Sequence, residues 1–155
     1  MAGYVARVAW SLAEGEDFAA GRYSRGHMIG FDEGVKLAGS ASPHVVGARW
    51  SVAAAADPEE MLVASLSACH MLTFLHLARL AGFVVTSYRD AAEGTLAKNP
   101  QGRLAVSEVV LRPQIVFEGR APDADELDRL HHAAHEECFI ANSVTTVVRV
   151  EMDPT

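Results

Sequence analysis

Residues 57–82 read DPEEMLVASLSACHMLTFLHLARLAG, and this stretch decides the fold. It begins with an Asp-x-x-Glu capping box formed by Asp57 and Glu60, with a proline at the first helical position, and it reaches Gly82, a residue type that commonly ends helices. The pattern predicts one helix of about 24 residues, roughly 36 Å long. Its centre carries almost no charge, so we expect it to be buried on all sides. A single thiol, Cys69, lies in the middle of this helix.

The composition bounds the class of protein. With 155 residues, half of them hydrophobic, the chain suits a single domain over residues 1–155. The net charge of −7 argues against nucleic acid and anionic membranes as partners. The first residues lack the layout of a signal peptide, and the Cys, His and Ser side chains within 57–82 favour a core helix over a membrane span. Two cysteines form no disulfide framework, so we expect a cytoplasmic protein with free thiols.

Strands are predicted on both sides of the long helix, and a second helix is predicted near the end of the chain. The second helix begins at another capping box, Asp123 to Glu126. The order of strands, long helix, strands, helix and strand predicts an α+β domain. The predicted strands are Tyr4–Leu12, His27–Phe31, Val35–Ala38, Phe83–Tyr88, Ala92–Ala97, Leu104–Phe117 and Ser143–Met152, and Pro113 suggests a bulge or an edge position in the sixth of them.

The role of Cys69 is open on these grounds. The thiolate is the reactive form, and an ordinary cysteine has a pKa of about 8.5. Burial in the middle of a helix raises that pKa, and the helix dipole does not reach so far from the N-terminus. Cys69 is therefore either a small core residue or a reactive thiol that needs a cation from outside the helix. Arg22 and Arg25, in a polar loop near the N-terminus, are the candidates for that cation.

Two segments together resemble the OsmC/Ohr family (osmotically inducible protein C and organic hydroperoxide resistance proteins). They are PEEMLVASLSAC at residues 58–69 and AHEECFIANSV at residues 134–144. The resemblance extends over nearly the whole chain and includes the order of its elements. It implies an α+β fold with antiparallel sheets, a long buried central helix and a second helix. It also implies that two such chains form an intertwined homodimer.

The resemblance implies a cysteine-based hydroperoxide reductase that serves in oxidative stress defence. Cys69 would attack the hydroperoxide and become a sulfenic acid, and Cys138 would condense with it to a disulfide. A dithiol reductant, a lipoylated protein in the best-known branch of the family, would reopen this disulfide. No metal or organic cofactor is expected. The apolar surroundings of the central helix lead us to expect a preference for organic hydroperoxides.

The family also uses an arginine from the N-terminal loop to hold the thiolate and a glutamate to orient that arginine. Glu59 matches the glutamate by its place after the proline, and Arg25 is preferred over Arg22 for the arginine. Glu59 and Cys69 are ten residues apart on one helix, about 15 Å along its axis. We therefore expect two antiparallel copies to cross near Ala64, so that Glu59 of one chain lies beside Cys69 of the other.

Three other functions are compatible with parts of the sequence. His131, His135 and Cys138 fall at i, i+4 and i+7 and would suit a zinc site, although no carboxylate is evident to support those ligands. The central thiol with His70, or with His135 and Asn142, would suggest a cysteine hydrolase, but His70 points about 100° away from that thiol around the helix.

The third alternative is a non-catalytic dimer of the same fold that binds a small apolar ligand or senses oxidants. Thr73, His76 and Phe139 are candidates to line the pocket for a ligand or substrate. A pure binding protein needs no second thiol, so Cys138 distinguishes the two functions.

Overall fold

A computed structural model describes residues 1–152 of the chain. Its contacts divide the protein into two compact units, Met1–Met61 and the part from Leu62 onward, and each unit is described by itself. The single domain expected over residues 1–155 stays a prediction.

The first unit contains a three-stranded antiparallel sheet in the order β1-β2-β3. Its strands are β1 (Ala6–Ala9), β2 (His27–Phe31) and β3 (Lys36–Gly39). The predicted hairpin between β2 and β3 is confirmed, with a short 3₁₀ turn at Asp32–Gly34 between the strands. β1 is shorter than predicted, and the expected loop before the long helix includes a one-turn helix, α1 (Pro43–Val46).

The long helix, α2, extends over Pro58–Leu80, and both of its predicted end signals are confirmed. The amide of Glu60 donates to Asp57 Oδ1 at 2.8 Å, and the amide of Asp57 donates to Glu60 Oε2 at 3.1 Å. Gly82 follows the helix with φ +84°, a left-handed conformation in which glycine carries no steric penalty.

The prediction that α2 is buried on all sides is wrong for the single chain. Its buried residues recur at every fourth position and form one stripe: Leu66, His70, Phe74 and Ala78. On other faces, Leu72 is 63 % exposed and Leu80 is 61 % exposed. The chain by itself thus covers only one face of an apolar helix.

The second unit holds two small sheets. β4 (Val84–Asp90) pairs antiparallel with β7 (Pro113–Glu118), and the other sheet has the order β5-β6-β8. Its strands are β5 (Glu93–Lys98), β6 (Leu104–Leu111) and β8 (Val147–Val150). β6 and β8 run parallel, unlike the antiparallel pairing expected throughout, because the long connection through the second helix returns the chain in the same direction.

The single strand predicted over Leu104–Phe117 is instead two strands in different sheets. The break falls at Arg112, whose amide donates to the side-chain atom Asp90 Oδ1 at 2.7 Å instead of to a backbone oxygen of a neighbouring strand. Pro113 comes next and has no amide hydrogen to continue the ladder. β6 therefore stays with β5 and β8, while β7 joins β4.

The second helix, α3, extends over Ala124–Glu137 and begins at the predicted capping box of Asp123 and Glu126. The stripe of α2 contributes to two apolar clusters in this unit. One cluster contains Phe74, Ala78, Phe83 and Ala134, and the other contains Leu66, Val109 and Leu111. Cys138 is the C-cap residue of α3.

Candidate active site

The two cysteines meet in the second unit. Cys69 lies in the middle of α2 and is half-buried, while Cys138 at the end of α3 is only 1 % exposed. The two side chains are close enough for Cys69 to raise the pKa of the Cys138 thiol, and both are free thiols. The fold therefore brings together two side chains that are 69 positions apart in the sequence.

The surroundings of Cys138 favour its protonated form. Burial raises the pKa of the Cys138 thiol, and the neighbouring Cys69 side chain raises it further. A raised pKa means that the protonated form is stabilised, so Cys138 is a thiol at neutral pH. Backbone amides of Ile140 and Ala141 oppose this shift, and the Ala141 amide donates to Cys138 Sγ at 3.4 Å.

The two candidate arginines lie in the first unit and differ in their partners. Arg22 is exposed and forms an ion pair with Asp17 at 2.7 Å. Arg25 is half-buried, donates to the backbone oxygens of Gly21 and Tyr23, and lies 3.6 Å from the centre of the Tyr23 ring. Within residues 1–61, no carboxylate lies at ion-pair distance from Arg25. Within this unit, backbone oxygens and the Tyr23 ring orient Arg25, and no ion pair does.

Glu59 lies in the first turn of α2 and is half-buried. It forms no ion pair with Arg25 within the first unit. The parts of Arg25, Arg22 and Glu59 in a thiol site therefore stay predictions.

A buried pair of histidines connects α2 and α3, and sequence reasoning missed it. His70 Nε2 lies 3.0 Å from His131 Nδ1, and the two rings are parallel within 6°. The side chains are 1 % and 4 % exposed. Burial lowers the pKa of both imidazoles to about 4, so both are neutral at pH 7. The available signal was His70 itself, because a histidine in an apolar, uncharged stretch of helix is expected to be buried and a buried imidazole needs a hydrogen-bond partner.

Asp90, at the end of β4, is a second polar centre that the sequence did not reveal. It accepts hydrogen bonds from the Ser67 hydroxyl on α2 and from the amide of Arg112. The negative charge of Asp90 raises the pKa of His70, which opposes the larger effect of burial. Burial raises the pKa of the Tyr88 hydroxyl, and Asp90 adds to that effect.

The three candidate pocket residues differ in exposure. The Thr73 hydroxyl donates to the backbone oxygen of Cys69 at 2.9 Å, so it is engaged within α2. His76 is exposed, and Phe139, next to Cys138, is 79 % exposed. Among residues 1–152, no group of three or more His, Cys, Asp or Glu side chains is placed to hold a metal ion. His131, a ligand in the zinc hypothesis, uses its Nδ1 atom to contact His70.

Comparisons with known proteins agree with this architecture. The sequence profile of OsmC-like proteins matches residues 51–153. An OsmC-like protein of unknown function from Vibrio cholerae is 50 % identical, with a TM-score of 0.95 over 98 % of this chain and 99 % of that one. No curated protein sequence matches the chain significantly.

Two more distant structures show the same fold. An organic hydroperoxide resistance protein from Legionella pneumophila is 20 % identical, with a TM-score of 0.69 over 98 % of this chain and 96 % of that one. The organic hydroperoxide resistance protein OhrB of Bacillus subtilis is 17 % identical, with a TM-score of 0.67 over 97 % of this chain and 98 % of that one. The fold and its adjoining thiols define an α+β dithiol protein. The chain belongs to the OsmC-like family.

The family assignment also explains the composition of α2. By length and composition alone this helix could cross a membrane, with a mean hydropathy of 1.6 over its most apolar window. Its buried stripe packs against the sheets of the second unit, as expected for the core helix of an OsmC-like fold.

Proposed function

We propose that this protein is a thiol-dependent peroxidase that reduces organic hydroperoxides in the cytoplasm as part of oxidative stress defence. The observation that carries the proposal is the proximity of the free Cys69 and Cys138 side chains. Cys69 is half-buried, so its sulfur is the one that a substrate reaches. Cys138 is enclosed and protonated, which suits a thiol that reacts only after the first has been oxidised.

The reaction cycle has three balanced steps. The Cys69 thiolate attacks the terminal oxygen of the hydroperoxide, the O–O bond breaks, and with one proton the products are an alcohol and a Cys69 sulfenic acid. The Cys138 thiol then displaces the hydroxyl group, which leaves as water and creates the Cys69–Cys138 disulfide. A dithiol reductant, of the kind that a lipoylated protein carries, exchanges with this disulfide and becomes a disulfide itself.

Arg25 is the cation that we assign to the Cys69 thiolate, with Arg22 as the weaker candidate. Asp17 neutralises Arg22, whereas Arg25 is oriented by backbone oxygens and by the Tyr23 ring. A neighbouring positive charge lowers the pKa of a thiol and increases the fraction of the reactive thiolate.

The proposed active form is a homodimer. The exposed apolar side of α2 would be covered by a second copy, since soluble proteins rarely leave such patches open. Ala64 and Ala68 are small and exposed, which permits a close helix crossing. An antiparallel crossing there would place Glu59 of one chain near Cys69 of the other. The absence of an ion pair between Glu59 and Arg25 within residues 1–61 supports a role for Glu59 across the dimer.

The preference for organic hydroperoxides rests on the apolar residues near the thiols. Leu72 and Phe139 are exposed and lie close in sequence to Cys69 and Cys138, and they would contact an alkyl or aryl group. The relatives from Legionella pneumophila and Bacillus subtilis carry organic hydroperoxide resistance in their names. We expect kcat/KM for cumene hydroperoxide to exceed that for hydrogen peroxide, and equal values would contradict this preference.

The test is a count of free thiols after one equivalent of cumene hydroperoxide. We expect wild type to lose both thiols per chain, Cys69→Ser to lose none, and Cys138→Ser to stop at a Cys69 sulfenic acid that a dimedone probe captures. Persistence of both wild-type thiols would refute the peroxidase. Oxidation without renewed peroxide consumption when a dithiol is added would favour the alternative, an oxidant-sensing or ligand-binding protein of the same fold.

A further inference from the structure

The His70–His131 hydrogen bond links the two helices that carry the thiols. His70 directly follows Cys69 on α2, and His131 precedes Cys138 by seven residues on α3. Each imidazole is almost fully enclosed, and the two nitrogens lie 3.0 Å apart. The peroxidase chemistry proposed above uses neither ring.

Each imidazole has the other as its hydrogen-bond partner. A neutral imidazole has one N–H and one bare nitrogen, so their hydrogen bond needs the N–H of one ring and the bare nitrogen of the other. The outer nitrogens, His70 Nδ1 and His131 Nε2, are buried and have no hydrogen-bond partner within residues 1–152. Breaking the inner bond inside the protein would leave two further polar atoms without a partner, which costs about 1 to 3 kcal/mol for each.

The positions of the contacts show what this bond restrains. Along α3, the histidine and cysteine contacts are seven residues apart, about 10 Å. Along α2 the two contacts involve adjacent residues, Cys69 and His70, which are about 1.5 Å apart along the helix axis. The side chains of these two residues point about 100° away from each other. α3 thus meets α2 at two separated points, and a helix that is held at two points cannot pivot about either one.

The remaining contacts between these helices are less specific. Phe74 stacks on His131 with ring centres 4.5 Å apart, and Ala78 and Ala134 belong to one apolar cluster. Apolar contacts are non-directional and tolerate small slips, whereas a buried hydrogen bond fixes a register. The cysteine contact itself changes in every cycle, from two thiols to a disulfide. The histidine pair is therefore the contact that can hold the geometry throughout.

We propose that His70 and His131 are positioning residues of the thiol site, whose hydrogen bond holds α3 at a fixed place on α2 so that Cys138 stays within bonding reach of Cys69. The purpose of this restraint rests on the proposed function, but the restraint itself is a property of the dithiol and can be measured without a peroxide.

The test is the equilibrium of the full-length protein with glutathione, in which two protein thiols and one glutathione disulfide give a protein disulfide and two glutathione thiols. Acid quenching, alkylation and mass spectrometry give the effective concentration of Cys138 at Cys69. We expect His131→Leu to lower this concentration by about tenfold or more relative to wild type. His131→Asn, which keeps a polar atom near the Nδ1 position, should stay within about threefold.

Two further variants separate positioning from loss of stability. Leu127→Ala removes an apolar side chain that packs on the same cluster from α3, and it should leave the effective concentration within about threefold of wild type. The double variant His70→Leu with His131→Leu leaves neither inner nitrogen unpaired, so it should fold well and still show the low value. All measurements are made where circular dichroism shows a folded protein.

An unchanged effective concentration in the double variant, or an equal loss in Leu127→Ala, would overturn the inference. Failure of the proposed function looks different. A wild-type protein that forms its disulfide with glutathione but ignores hydroperoxides would refute the peroxidase and leave this test intact.

Discussion

The buried histidine pair predicts a loss of stability in mildly acidic solution. In the folded protein, burial lowers the pKa of His70 and of His131 from 6.5 to about 4. Between these two values the unfolded chain binds more protons than the folded protein does. The free energy of unfolding therefore falls as the pH is lowered from about 6.5 to about 4.

The expected effect is large. A pKa that falls from 6.5 to about 4 corresponds to about 3 kcal/mol for one imidazole. The two rings share a hydrogen bond and do not take up protons independently, so we expect about 3 to 6 kcal/mol for the pair at the acidic end. That is a substantial part of the roughly 5 to 15 kcal/mol that stabilises a typical domain.

The assay is urea unfolding between about pH 8 and pH 4.5, at fixed ionic strength and protein concentration. The lower limit reduces the contribution of Glu126, whose pKa is held at about 2 by the hydrogen bond from Arg120 and is 4.5 in the unfolded chain. The same contribution is present in the double variant of His70 and His131, so the comparison of the two proteins removes it. Far-ultraviolet circular dichroism is the signal, because Trp10 and Trp50 both lie in the first unit and fluorescence would report on the wrong part of the chain.

The comparison is the double variant His70→Leu with His131→Leu. Its free energy of unfolding should change much less than that of wild type between about pH 6.5 and pH 4.5, because every other histidine is retained. If both proteins lose stability equally over this range, the pair is not the source of the pH dependence and the reasoning from burial is refuted.

Two other substitutions test specific contacts. A Cβ added at Gly94 would lie 2.5 Å from Val63 Cγ2 on α2, so Gly94→Ala should lower the free energy of unfolding by about 1 to 3 kcal/mol in urea titrations. Gly30→Ala is the control, since its nearest neighbour would be an ordinary 3.9 Å contact; an equal loss there would refute the clash. Arg25→Met should slow the oxidation of the proposed thiolate by about tenfold or more in stopped-flow measurements at neutral pH, and Arg22→Met should change it by less than about twofold. A larger effect of the Arg22 variant would reverse the assignment of the cation.

Local signals allowed the sequence to predict much of the fold. The helix-end signals are the capping boxes at Asp57 and Asp123 and the glycine at position 82. Each of them involves residues only a few positions apart, so it can be recognised from the local sequence. The meeting of Cys69 and Cys138 was expected only from the resemblance to a family, since no local rule connects residues so far apart. Their proximity is a property of the folded chain.

Long-range choices explain what the sequence did not reveal. Apolar composition indicated that α2 needs covering on every side, but it could not indicate that one chain covers only the stripe that includes Leu66 and Phe74. Likewise, the run from Leu104 to Phe117 has strand character throughout. The division of this run into two strands depends on Asp90, which lies 22 residues before Arg112 and accepts a hydrogen bond from its amide.

Asp90 also explains how the sheets and the thiol helix are kept in register. One of its oxygens holds the chain where it passes from β6 to β7, and the other holds Ser67 on α2, two residues before Cys69. A half-buried carboxylate with hydrogen bonds on both oxygens restrains the elements that donate them, since moving either element would leave one charged oxygen without its partner. The thiol-bearing part of α2 is thereby tied to the sheets through Ser67 and to α3 through His70. The hydrogen bonds of Ser67 and His70 lie on either side of Cys69 in the sequence. The position of Cys69 is therefore set by directional hydrogen bonds as well as by apolar packing.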